Sequence, residues 1–134
     1  MIFYRKEIVM STRVIFKSVH PIGDTDTNAL PVKEIGPAIG YYTHVLGFSV
    51  VTKDKKSATL ARDDARIGLA VNGRDPEQAS CYFAVSDAEA LRQELDGKGI
   101  EPGDIGVQDH GGKSYRIFFA KEPFGVCFCF GQPA

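Results

Sequence analysis

Two passages of the sequence, about fifty residues apart, repeat the same order of secondary-structure signals. "ALPVKEIGPAIGYYTHVLGFSVV" starts as a short apolar strand that ends at Glu34, continues as a helix with one apolar face, and resumes as a strand after Gly47. "CYFAVSDAEALRQELDGKGIEP" again has a strand that ends at an acid, Asp87, with a helix after it. The two patterns predict helices near 35–46 and 87–97.

Residues at the helix ends support these boundaries. Gly47 has the position of a C-terminal cap, because glycine readily adopts the left-handed conformation that ends many helices. Ser86 and Glu89 form the S-x-x-E pattern of a capping box, so we expect the Ser86 hydroxyl to cap the second helix.

Three short strand signals follow each predicted helix. They cover residues 48–53, 58–61 and 66–72 in the first half, and 105–108, 115–120 and 126–130 in the second. Each half therefore consists of a strand, a helix and three further strands. One helix covers only one face of such a sheet, so the other face is available to line a cavity. We predict a mixed α+β fold in which two βαβββ modules form a half-open barrel with a central cavity.

The length and composition predict one domain over residues 1–134. The chain is 43% hydrophobic and 25% charged, which is typical of a globular domain with its own core. We assign residues 13–73 to an N-terminal module and residues 79–131 to a C-terminal module. "RVIFKSVHPI" alternates like an added N-terminal strand, and "GDTDTN" after it has turn composition. The first ten residues are interpreted as a short strand or an upstream extension.

Charge and cysteine content exclude several classes of function. The net charge is −1 with no basic stripe, which argues against nucleic acid as a partner. No segment approaches the roughly 20 apolar residues that span a membrane. Three cysteines, an odd number, without a secretory signal predict reduced thiols and a cytoplasmic location. Neither a phosphate-binding loop nor a serine-hydrolase elbow is present, and we predict no catalytic residue.

"VKEIGPAIGYYTHVLGF" resembles the opening of the vicinal oxygen chelate superfamily, which includes glyoxalase I, extradiol dioxygenases, fosfomycin-resistance transferases and bleomycin-binding proteins. The shared features are the acid at the end of the strand, the pair Tyr41–Tyr42 and the "LGF" that ends the helix. "EPFGVCFCF" is similar to the D-P-x-G turn of the family, with Glu122 in place of aspartate. The resemblance covers about residues 27–131 and implies the paired βαβββ fold, often as a dimer. We therefore expect a homodimer, which would also cover exposed sheet edges.

The resemblance also implies where chelating relatives place four metal ligands. Counted from the motifs above, these positions hold Thr27, Gly68, Ser80 and Cys129. Glycine offers no ligand atom, neutral hydroxyl groups bind transition metals weakly, and one thiolate does not complete their coordination. We therefore expect no metal and no other cofactor.

The alternation of residues along the strands predicts which side chains face the cavity, and the resemblance adds two residues from the penultimate strand. The predicted ligand-binding residues are Arg66, Gly68, Asn72, Ser80, Tyr82, Ile117, Phe119, Cys127 and Cys129. This set is mainly apolar and aromatic, as in many small-molecule sites. The two cysteines are interpreted either as small wall residues or as a reactive thiol, which would need a depressed pKa. A cavity filled by its own side chains is the alternative.

Two functions are compatible with these observations. The first is a metal-free binder, similar to bleomycin-resistance proteins, that holds a small, partly aromatic or hydrophobic molecule in the barrel cavity. The second is a metal-dependent lyase, isomerase or dioxygenase of the same superfamily that recruits its metal through other residues. His20 and His110 are the histidines to test in that case, and we expect His110 to overhang the mouth of the pocket.

Overall fold

The computed structural model describes residues 13–134, so the predicted strand or extension in the first ten residues lies outside the described part. The chain order is β1 (Phe16–Pro21), β2 (Leu30–Pro31), α1 (Ile35–His44), β3 (Ser49–Lys53), β4 (Ser57–Arg62), β5 (Ala65–Ala70), a short 3-10 turn (Pro76–Gln78), β6 (Ser80–Val85), α2 (Ala88–Leu95), β7 (Gly106–His110), β8 (Lys113–Lys121) and β9 (Cys127–Pro133). Both predicted helices are present.

The described strands form two mixed sheets. One has four strands in the order β2-β5-β4-β3, and the other has five in the order β1-β6-β9-β8-β7. β2 is parallel to β5 and β6 is parallel to β9, whereas the other neighbours are antiparallel. The predicted mixed α+β fold is confirmed. β1 pairs with β6 and thus adds a fifth strand to the sheet made from the second half of the chain.

The core separates the two faces of each strand as the alternation predicts. Cys81, Phe83 and Val85 of β6 are almost completely buried, whereas Tyr82 and Ala84 between them are partly exposed. Val126, which immediately precedes β9, and Phe128 and Phe130 within it are fully buried. The rings of Phe83 and Phe130 stack with centroids 5.4 Å apart. The burial of these apolar residues fixes the opposite face of the five-stranded sheet as the face that carries the candidate site.

A buried hydrogen bond connects α1 to the turn between β8 and β9. The Tyr42 hydroxyl donates to Glu122 Oε2 at 3.3 Å, and the Val126 N–H donates to Glu122 Oε1 at 2.8 Å. Tyr42 is fully buried and Glu122 is almost fully buried. Desolvation raises the pKa of Glu122 despite these hydrogen bonds. This contact explains why the helix needs a tyrosine and the turn an acid.

The helix ends agree only partly with the prediction. Gly47, with a φ of +74°, follows α1 as expected. The predicted capping box is wrong, because Asp87 is the N-cap of α2 and accepts the Ala90 N–H. Ser86 Oγ instead accepts the Ile15 N–H at 2.8 Å. The Ser86 hydroxyl therefore binds a segment before β1 that is distant in sequence, and it does not cap the helix as the local pattern predicted.

Candidate small-molecule site

An open pocket of about 510 Å³ lies on the exposed face of the five-stranded sheet. Its lining consists of His20, Ile22, Tyr82, Gln108, His110, Tyr115, Ile117, Phe119 and Cys129. The volume is within the usual range for small-molecule sites, and the lining combines apolar surface with a few hydrogen-bonding groups. The pocket can therefore accommodate an organic molecule of modest size.

The pairing register of β6, β9 and β8 places Tyr82, Cys129 and Phe119 side by side in a row across the centre of the sheet. Cys129 of β9 pairs with Tyr82 of β6 on one side and with Phe119 of β8 on the other. Phe119 is 46% exposed, an unusual fraction for a phenylalanine in a sheet, and its ring is available to a ligand. Burial raises the pKa of Tyr82, so its hydroxyl keeps the proton and can act as a donor.

Gly131 lies against Tyr82 and Ile117, and its lack of a side chain allows these two residues to lie side by side. A Cβ at this position would be 2.6 Å from the Tyr82 hydroxyl oxygen and 2.8 Å from Ile117 Cγ2. Neither contact is possible between real atoms, so a larger residue would displace both side chains. The glycine thereby determines the depth of the pocket floor, which we define as Tyr82, Ile117 and Cys129.

Four of the nine predicted ligand-binding residues, Tyr82, Ile117, Phe119 and Cys129, line this pocket. Ser80 and Cys127 are cross-strand partners on the same face but lie outside the lining. The remaining three, Arg66, Gly68 and Asn72, belong to the four-stranded sheet or its exit and are not part of the pocket. The Asn72 amide donates to the Ala29 carbonyl at 3.3 Å.

Gly68 has no room for a side chain. A Cβ there would lie 1.9 Å from the Asn28 carbonyl oxygen, and the Gly68 N–H donates to the Thr27 carbonyl at 2.9 Å. The segment before β2 therefore occupies the space that a metal ligand at this position would need. Ser80 and Cys129 lie in the other sheet. Within residues 13–134, no three His, Cys, Asp or Glu side chains converge as a metal site. Thr27, Gly68, Ser80 and Cys129 therefore do not fit the four-ligand metal site that the resemblance implies.

The environment of the cysteines opposes thiolate formation. Burial raises the pKa of Cys129 to about 11 and that of Cys81 to about 12. The pKa of Cys127 is also raised, although Lys121 opposite it on β8 works in the other direction. Because a reactive thiol needs a depressed pKa, the structure favours the interpretation of Cys127 and Cys129 as small neutral residues.

Sequence reasoning did not select His20, Ile22, Gln108 or Tyr115 as binding residues. Tyr115 has the same parity as Ile117 and Phe119, so extending the alternation along β8 would have found it. His20 and Ile22 had no such signal, because only the pairing of β1 with β6 brings them to the site. His110 lies at the end of β7 and lines the pocket, as expected from its turn.

The fold and the pocket together define an α+β protein with an open, aromatic-lined pocket on one of two mixed sheets. The family model described as the Glyoxalase/Bleomycin resistance protein/Dioxygenase superfamily matches residues 22–130, and the chain belongs to this superfamily. The predicted resemblance is thereby confirmed. The comparison with curated proteins found no match.

Solved structures share the fold at low sequence identity. A bleomycin resistance determinant encoded on the transposon Tn5 is 21% identical with a TM-score of 0.68, and the match covers 82% of this chain and 98% of that one. A bleomycin-binding protein from Streptomyces verticillus, complexed with copper(II)-bleomycin, is 21% identical with a TM-score of 0.65, over 81% and 95%. A virulence protein from Salmonella typhimurium is 22% identical with a TM-score of 0.67, over 84% and 98%.

Proposed function

We propose that this protein binds a small, partly aromatic or hydrophobic molecule in the pocket of the five-stranded sheet, without a metal ion. The observation that carries the proposal is the 510 Å³ pocket with the row of Tyr82, Cys129 and Phe119 at its centre. Aromatic rings and a neutral thiol favour contact with a flat apolar surface. Two structural relatives are described as complexes with bleomycin, which supports small-molecule binding on this fold.

Phenylnaphthylamine, an uncharged aromatic probe that fluoresces in apolar surroundings, tests the proposal. We expect saturable binding to the native protein and about tenfold weaker binding to Phe119→Ala, because the variant loses aromatic contact area. Val107→Ala is the matched control, since Val107 is 65% exposed on β7 and does not line the pocket. Absence of saturable binding, or equal effects of the two substitutions, would contradict the proposal.

The alternative function is a metal-dependent lyase, isomerase or dioxygenase. One observation favours it, namely that His20 and His110 line the same pocket. Elemental analysis of the untagged protein distinguishes the two functions. The binder should contain far less than one equivalent of transition metal per chain. One bound equivalent that is lost in His20→Ala or His110→Ala would instead support the enzyme.

We also propose a homodimer in the cytoplasm. Val50 and Val51 on the edge strand β3 are both more than 40% exposed, and exposed apolar edges are commonly covered by a partner. Light scattering at micromolar concentration measures the assembly, and a monomer would contradict it.

All three cysteines are free thiols, which favours a reducing compartment. None of the helices described in residues 13–134 combines the length and the hydrophobicity of a membrane-spanning segment.

A further inference from the structure

The two histidines of the pocket come from opposite edges of the five-stranded sheet. His20 lies on β1 and His110 on β7, with β6, β9 and β8 between them. In a flat sheet these edges would be about 19 Å apart, since neighbouring strands are separated by roughly 4.8 Å. Both residues nevertheless line one pocket, so the sheet curves around it. Both side chains are exposed, which places them at the mouth rather than the floor.

The pocket contains few groups that can carry charge. No Asp, Glu, Lys or Arg from residues 13–134 contributes to its lining, although one quarter of the chain consists of these residues. A ligand with a positive charge would find no carboxylate there. A ligand with a negative charge would meet no carboxylate and two imidazoles, which are the lining groups able to become cationic.

His20 is already oriented by its own strand and by its neighbour. Its Nε2 lies 2.9 Å from the Ser18 hydroxyl, and its ring is 6.2 Å from that of Tyr82, its cross-strand partner. When Ser18 donates to Nε2, the proton of the neutral ring resides on Nδ1, which can then donate to an oxygen atom. The hydroxyl groups of Tyr82 and Tyr115 and the Gln108 amide provide further donors in the same lining.

From these observations we infer that the ligand is an aromatic acid: a flat aromatic body over Phe119 and the pocket floor, with an oxyanion such as a carboxylate or sulfonate held at the mouth by His20 and His110. This inference rests on the proposed function, since it assigns the ligand class of the same pocket. His20 and His110 are specificity-determining residues in this account. They select the acid over an uncharged molecule of the same aromatic shape.

A matched pair of probes tests the inference. Anilinonaphthalene sulfonate and phenylnaphthylamine have the same aromatic framework, and only the first carries an oxyanion. Each is titrated into the native protein, His20→Gln/His110→Gln, Phe119→Ala and the control His44→Gln. His44 is exposed on α1 and is not part of the lining. Near-UV circular dichroism verifies that each variant keeps its tertiary packing.

We expect the double histidine variant to bind the sulfonate about tenfold more weakly and the uncharged probe within about twofold of the native protein, because only the oxyanion loses charge-assisted hydrogen bonds. Phe119→Ala should weaken both probes, and His44→Gln should weaken neither. Equal losses for the two probes, or an unchanged affinity for the sulfonate, would overturn the inference while Phe119→Ala still supports the proposed function. Failure of both probes to bind the native protein would overturn both.

Discussion

Substitution of Gly68 by alanine tests whether the segment before β2 fills the space that a side chain at this position would need. The added Cβ would lie 1.9 Å from the Asn28 carbonyl oxygen, whereas such contacts are essentially never closer than 3.0 Å. The atoms that it meets belong to backbone and cannot rotate away. The segment must therefore shift as a unit, or β5 must move out of register with β2.

The cost has two contributions. Overpacking of a tight site typically costs about 1–3 kcal/mol. The shift also strains the hydrogen bond from the Gly68 N–H to the Thr27 carbonyl, 2.9 Å long, and its loss would add about 1 kcal/mol. We expect the free energy of unfolding to fall by about 2–4 kcal/mol, a large share of the roughly 5–15 kcal/mol available to a domain. The melting temperature should fall by about 10 °C.

Gly40→Ala is the matched control. Gly40 lies inside α1, and a Cβ there would have no atom within 4 Å. Alanine is a better helix former than glycine by about 1 kcal/mol, so this variant should be slightly more stable than the native protein. Urea unfolding followed by circular dichroism measures both changes. If Gly68→Ala unfolds within about 0.5 kcal/mol of the native protein, the close contact with Asn28 is wrong and a side chain can occupy the position.

Three further predictions concern the pocket and the buried turn. Gly131→Ala should displace the pocket floor and weaken phenylnaphthylamine binding, and an unchanged affinity would show that the floor does not contact the probe. Because burial raises the pKa of Glu122 above its ordinary value of 4.5, the stability contributed by the protonated acid is lost as the pH rises through the raised value. The free energy of unfolding of Glu122→Gln, measured in urea relative to that of the native protein, should therefore increase from pH 4 to pH 8. A difference that stays constant with pH would refute this account. Cys129, with its pKa raised to about 11, should react with iodoacetamide more slowly than free cysteine at pH 8 in mass-spectrometric labelling, and an equal or faster rate would show that its thiolate is accessible.

Much of the fold and part of the site could be predicted from the sequence because both depend on local periodicity. The apolar stripe of the first half predicted a helix near 35–46, and α1 covers Ile35–His44. Strict alternation in "VCFCF" predicted that Val126, Phe128 and Phe130 share the buried face, which the structure confirms. The same alternation placed Tyr82 and Cys129 on the opposite face, where they meet in register. Side chains of a strand alternate with a period of two whatever the neighbouring strand is, so this information is present in the sequence.

Tertiary structure alone decided which strands are neighbours, and with them the shape of the pocket. The alternation of "RVIFKSVHPI" predicted a strand but did not reveal that it pairs with β6 and brings His20 to the site. The absence of a ligand group at Gly68 could be predicted, but not the Asn28 carbonyl that covers it. Ser86 shows the same limit, because its hydroxyl binds Ile15, 71 positions away, instead of capping α2. Periodicity indicates on which face of its own strand or helix a side chain lies. The pairing of distant segments depends instead on the packing of the whole chain.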